Sequence, residues 1–129
     1  LNESRRNWVT VADLGRIIDD IVDNPLPQMI YAWDGLSDDE KIVLSLLAET
    51  LPDGLTSANA AQVRSSVDAN KYPVHLSENT IRLTLEEMFR RDLLDKDAFD
   101  AFRFRMDLFR LWIHRAHSIW QVVNEVRTL

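Results

Sequence analysis

The sequence predicts a mainly α, small α+β fold, and three features carry that prediction. Apolar residues recur at spacings of three and four along most of the chain, and several of these rows open on a capping signature. One stretch around residue 100 switches instead to two-residue alternation. The 129 residues suit one domain, and a composition of 46% hydrophobic and 28% charged residues is that of an ordinary globular chain able to bury a sizeable core.

The first helix is expected from Thr10, where Thr-Val-Ala-Asp reads as a capping box ahead of the apolar row Leu14, Ile17, Ile18, Ile21 and Val22. Pro25 and Pro27 break it, and Gln28 to Trp33 recoils into a short helix before Asp34-Gly35 turns the chain. Ser37-Asp38-Asp39-Glu40 is the strongest capping box, and the helix it opens runs through Val43, Leu44 and Leu47 to a stop at Pro52-Asp53-Gly54. Thr56 or Ser57 is expected to cap the next helix, which ends near Ala69, and Tyr72 to Leu76 reads as extended or looped. Ser77 opens a helix with Ile81, Leu85, Met88 and Phe89 as its buried row.

Leu93 to Lys96 and Ala101 to Arg105 then read as two short strands, because Phe102 and Phe104 alternate with Arg103 and Arg105. Three helices followed by a hairpin is the order of a winged helix-turn-helix core with a two-stranded wing. Met106 to Arg115 and Ser118 to Val126 are expected to add two C-terminal helices, with Trp112 and Trp120 in the core. Trp8 is expected to contact a neighbouring module. The division follows from this: residues 1–36 form a helical lead-in from an upstream module, and residues 37–129 form the winged-helix domain with its C-terminal helical extension. The chain opens on Leu1 and closes on Val126-Arg127-Thr128-Leu129 with the helical pattern still running, so it is expected to be a piece of a larger protein.

Charge narrows the partners. A net charge of −6 disfavours nucleic acid, whose phosphates are neutralised by Lys and Arg. The helix from Ser77 would enter the DNA groove in a winged helix, yet it presents Asn79, Arg82, Leu83, Glu86 and Arg90, with Arg82, Glu86 and Arg90 expected to pair along one face. The wing tip from Asp95 to Asp100 carries three acids and one lysine. Exposed Leu83 points instead to protein docking. Basic charge gathers only after residue 101, where Arg103, Arg105, Arg110, Arg115 and Arg127 face Asp107 and Glu125. Arg103, Arg105, Arg110 and Arg115, with Arg82, Leu83 and Glu86, are therefore the candidate partner contacts, unless the arginines pair with the chain's own carboxylates.

No catalytic, metal-binding or cofactor-binding residue is assigned. Gly15, Gly35 and Gly54 are isolated, so no phosphate-cradling loop exists, and the acid pairs Asp19-Asp20, Asp38-Asp39 and Glu86-Glu87 fall on helix starts or solvent faces. His75, His114 and His117 have no nearby carboxylate in sequence to complete a metal site and read as surface or capping residues. There is no cysteine, no signal peptide and no apolar run near the roughly 20 residues that span a bilayer, which together predict a cytoplasmic protein away from membranes.

Three segments, Val9 to Leu14, Trp33 to Leu44 and Phe102 to Ile113, resemble the region that follows the nucleotide-binding module in bacterial STAND-type ATPases, signalling relatives of AAA+ proteins. The resemblance implies a regulatory winged helix that packs on the ATPase module, holds it closed and moves on activation. ATP or ADP would then bind the parent protein and not this part. Some such families open the helix after the wing with a nucleotide-sensing histidine. Here the stretch reads Arg105-Met106-Asp107-Leu108, which leaves Arg105 in its place. The expected function is a non-catalytic regulatory and protein-interaction module of a larger NTP-dependent signalling ATPase. The alternatives are a DNA-binding winged-helix regulator and a homodimerisation module.

Overall fold

The Ser37 hydroxyl accepts from the Glu40 amide at 3.3 Å, and the Glu40 carboxylate accepts from the Ser37 amide at 2.9 Å. This closed box starts the helix around which the molecule is organised. The computed structural model describes the backbone of residues 11–127 and the side chains of residues 15–17 and 19–126. Thr10, Trp8 and the side chains of Leu14, Ile18 and Arg127, each singled out from the sequence, lie outside the described residues.

The order is α1 (Val11–Asp23), α2 (Pro27–Asp34), α3 (Asp38–Thr50), α4 (Ala60–Asn70), α5 (Glu78–Arg90), β1 (Leu94–Lys96), β2 (Phe102–Phe104), α6 (Asp107–Ala116) and α7 (Ile119–Arg127). The fold is thus mainly helical with one two-stranded antiparallel sheet, a small α+β arrangement. Residues 43–48 of α3 are all buried, which marks a helix covered on every side. It packs against α4, α5, α6 and α7, while α4 lies on α5 and α1 on α6. The core between them is built from Leu44, Leu46, Leu47, Ile81, Leu85 and Ile113.

The hairpin docks on this core through Leu94, Phe102 and Phe104, the inward residues of strands paired Leu94 with Phe104 and Lys96 with Phe102. Ala58, in the loop before α4, forms an antiparallel bridge to Phe102, with amide-to-carbonyl distances of 2.9 and 2.8 Å in the two directions. Strand β2 is therefore paired on both sides. Asp97 shapes its tip, accepting on one carboxylate oxygen from the amides of Phe99 at 2.8 Å and Ala101 at 3.1 Å, and Asp100 completes the turn with φ 58°.

Four expectations need correction. Asn59, not Thr56 or Ser57, caps α4, exchanging side-chain and backbone bonds with Gln62 at 2.8 Å each. Asp53 binds the Thr56 amide and hydroxyl within the preceding loop, which delays the helix by three residues. Trp120 is 56% exposed, because Ile119, Val122 and Val123 form the buried face of α7 and leave it outward, with Tyr72 packed edge-on against it. Ile17 and Phe89 also reach the surface, since their rows are wider than the neighbours available to cover them.

Candidate interaction surface

Helix α5 and the hairpin form one face, and its local structure follows from the sequence. Ser77 caps α5 by accepting from the Thr80 amide at 3.1 Å, which sets Ile81, Leu85 and Met88 inward and leaves Arg82, Leu83, Phe89 and Arg90 outward. Between α5, the start of α4 and the hairpin tip lies a shallow groove of about 320 Å³. Ala60 and Phe102 are among its lining residues, with Glu78, Arg82, Glu86, Asp100 and Phe99 around them. Phe99 is 85% exposed although its amide and that of Ala101 are tied to Asp97. Leu83 stands 55% exposed beside Arg82.

Three cations on this face, Lys96, Arg82 and Arg90, already have partners within the chain. Lys96 Nζ lies 3.0 Å from one Glu86 carboxylate oxygen and 3.2 Å from the other, 3.7 Å from Asp100, and 5.3 Å from the centre of the Phe89 ring. Its hydrogen bond to Glu86 raises its pKa further. Arg82 donates to Asn79 Oδ1 at 2.5 Å, and Arg90 pairs with Glu87. The expected pairing of Arg82, Glu86 and Arg90 with one another is not what forms. Glu86 turns toward the hairpin, where Lys96 reaches it, and each arginine takes a partner three residues before it.

The four candidate arginines from Arg103 to Arg115 divide three to one. Arg105 Nη1 lies 3.0 Å from Asp92 and its Nε 3.5 Å from Asp95. Arg115 reaches Asp19 of α1 at 2.8 Å. Arg110 is buried and held by Asp107. The partners of these three arginines are all the chain's own carboxylates. Arg103, exposed on β2, makes no ion pair among the described residues. It lines a polar hollow with Leu55 and Asp97 at the outer side of the hairpin.

Two further places collect titratable groups. Between the loop after α3 and helix α6, a cleft of about 510 Å³ is lined by Glu49, Asp53, Asp107, Arg110 and His114. His114 Nε2 lies 3.5 Å from Glu49, so a carboxylate distant in sequence does approach this histidine. Backbone hydrogen bonds from Leu55 and Thr56 lower the Asp53 pKa. His117 sits elsewhere, its ring stacked on Trp33 at 4.3 Å and edge-on to Trp112 at 4.7 Å, and burial lowers its pKa. Among the described residues no group of His, Asp and Glu side chains has the geometry to hold a metal ion. No described helix is long and apolar enough to cross a membrane.

No protein-family model, curated protein or solved structure matches this chain. The reading of the site rests on its own chemistry. Phe99, Leu55 and Glu78 are surface features that the sequence reasoning passed over. The signal was present for Phe99: an aromatic isolated between Asp97 and Asp100 belongs to no buried row.

Proposed function

We propose that this chain is a non-catalytic protein-interaction and regulatory module built on a winged helix-turn-helix core. The order of three helices and a hairpin over residues 37–104 supports that core, as does the Ala58–Phe102 bridge, which stands where a third short strand would join the wing. One observation carries the functional reading. On the face that a winged helix offers to DNA, Phe99 and Leu83 are exposed while Lys96 and Arg90 are neutralised by carboxylates of the chain itself. This leaves Arg103 and Arg82, the latter hydrogen-bonded to the neutral Asn79, as its cations without a carboxylate partner among the described residues. A duplex needs cations free to replace its counterions, whereas exposed large apolar residues favour a protein surface.

In this reading the partner is another part of a larger cytoplasmic NTP-dependent signalling ATPase, where a nucleotide-binding module holds ATP or ADP and this module restrains or transmits its state. The resemblance of residues 9–14, 33–44 and 102–113 to STAND-type ATPases supports the assignment. Of the contacts named from the sequence, Leu83 is exposed, Arg103 is exposed with no ion pair among the described residues, and Arg110, being buried, acts through the fold instead.

Two measurements test the reading. Labelled duplex DNA titrated at low salt should show no salt-sensitive binding below the micromolar range, and the purified chain should turn over no ATP. Submicromolar, salt-dependent duplex binding would replace the protein-docking reading with a DNA-binding one.

A further inference from the structure

We propose that the groove between α5, the start of α4 and the hairpin tip takes a basic amphipathic segment of a partner protein, seated against Phe99 with its Lys or Arg side chains toward Glu78 and Asp100. The proposal rests on the protein-docking reading and adds the chemistry of the partner.

Charge complementarity selects this occupant. The charged residues lining the groove are Glu78, Glu86, Asp100 and Arg82, an acidic excess. Arg82, the one cation among them, is hydrogen-bonded to the neutral Asn79 and keeps its charge, so the lining carries three acids against one base. Glu86 is satisfied by Lys96, so it contributes less to an incoming charge. Glu78 is exposed and makes no ion pair among the described residues, and Asp100, with an 81% exposed side chain, has only Lys96 at 3.7 Å. Two carboxylates thus remain open to a cation in a groove that an aromatic ring also lines. An acidic segment would meet both of them unpaired, which excludes it by repulsion.

The apolar part of the occupant follows from Phe99 and the groove floor. Phe99 projects from a turn whose backbone is tied by Asp97, so presenting it costs little further ordering when a partner binds. Ala60 and Phe102, both buried, close the bottom of the groove beneath the segment. A helix with Leu or Phe on one face and Lys on the other matches both features.

The experiment uses three fluorescein-labelled peptides about four helical turns long. All share one Leu/Phe face, and the opposite face carries Lys, Gln or Glu. Fluorescence anisotropy with the whole chain should show the Lys peptide binding at least tenfold tighter than the Glu peptide, with the Gln peptide between them. Phe99→Ser should weaken the Lys peptide at least tenfold, and the double change Glu78→Gln with Asp100→Asn should weaken it several-fold while leaving the Gln peptide unchanged. All three positions are exposed, and Asn tolerates the left-handed backbone of residue 100, so the variants should keep the parent's thermal midpoint. Amide shifts of the unaltered chain give a second readout and should cluster on α5 and the hairpin tip.

Equal binding of all three peptides, lost in Phe99→Ser, would overturn the basic partner while leaving protein docking intact. Binding of the Lys peptide that survives Phe99→Ser, with shifts away from α5, would overturn the groove. Binding of duplex DNA with no binding of any peptide would overturn both this proposal and the reading beneath it.

Discussion

Arg110 and Asp107 stand one turn apart on α6, with the guanidinium Nε 2.5 Å from one carboxylate oxygen and Nη2 3.4 Å from the other. The pair is lopsided, because the arginine side chain is 10% exposed and the aspartate side chain 49%. Removing the aspartate strands a buried cation, whereas removing the arginine leaves a carboxylate that water can solvate. Asp107→Asn should therefore cost about 2 kcal/mol, below the ~3–5 kcal/mol seen when a fully buried pair loses one member, since Glu49 and Asp53 line the same cleft. Arg110→Met should cost well under half of that. Urea denaturation of both variants checks the asymmetry, and equal losses would contradict it.

Gly54 tests the same pair from the opposite wall of the cleft. A Cβ there would fall 2.7 Å from Asp107 Cγ and from one of its oxygens. The backbone at Gly54 is not left-handed, so alanine meets no conformational penalty and the contact alone sets the cost. Gly54→Ala should displace the carboxylate from Arg110 and destabilise by about 1 kcal/mol, within the usual range for a single substitution. In an Arg110→Met background the effect should shrink, because no pair is left to break.

His117 gives the protein a pH dependence with a definite sign. Burial between Trp33 and Trp112 lowers its pKa, Glu125 and Asp34 oppose that shift, and Lys41 adds to it. The folded state thus binds fewer protons than the unfolded state, whose histidine titrates at about 6.5. The contribution is complete above that value and is lost as the pH falls through it toward the folded pKa. Asp53, with its lowered pKa, adds a loss only as the pH falls through the ordinary carboxylate range near 4. The urea midpoint should accordingly decline between about pH 7 and pH 5, and His117→Phe, which keeps a ring against Trp33, should flatten that decline. An unchanged slope in the variant would assign the effect to another group.

The cap of α4 separates what was legible in the sequence from what was not. Ser37 with Glu40 and Ser77 with Thr80 were readable because one local box competes with nothing nearby. Before α4, Thr56, Ser57 and Asn59 all qualify as caps, and the choice falls to Asn59 because Asp53 captures Thr56. The fate of the arginines was hidden for a related reason: their partners Asp19, Asp92 and Asp95 come from other elements, and only the packed fold brings them within reach. The hairpin was legible from its alternation, but its bridge to Ala58 was not, since one residue pair leaves no periodic trace. Asn59→Ala should cost about 1 kcal/mol and Ser57→Ala nearly nothing, a contrast that thermal unfolding resolves.

Phe102 and Phe99 lie three residues apart in one hairpin and should differ most of all. Phe102 is 1% exposed, pairs with Lys96 on one side, and bridges Ala58 on the other, so its ring anchors the sheet to the helical core. Phe99 is 85% exposed, and its backbone is held by Asp97 regardless of its ring. Phe102→Ala should cost about 3–5 kcal/mol through lost burial and the cavity left behind. Phe99→Ala should change stability by no more than about 0.5 kcal/mol, as for a surface site. Chemical denaturation of the two variants gives the comparison directly. A large loss from Phe99→Ala would mean that its ring supports the fold, and the groove beside it would then lose its claim to be a surface kept open for a partner.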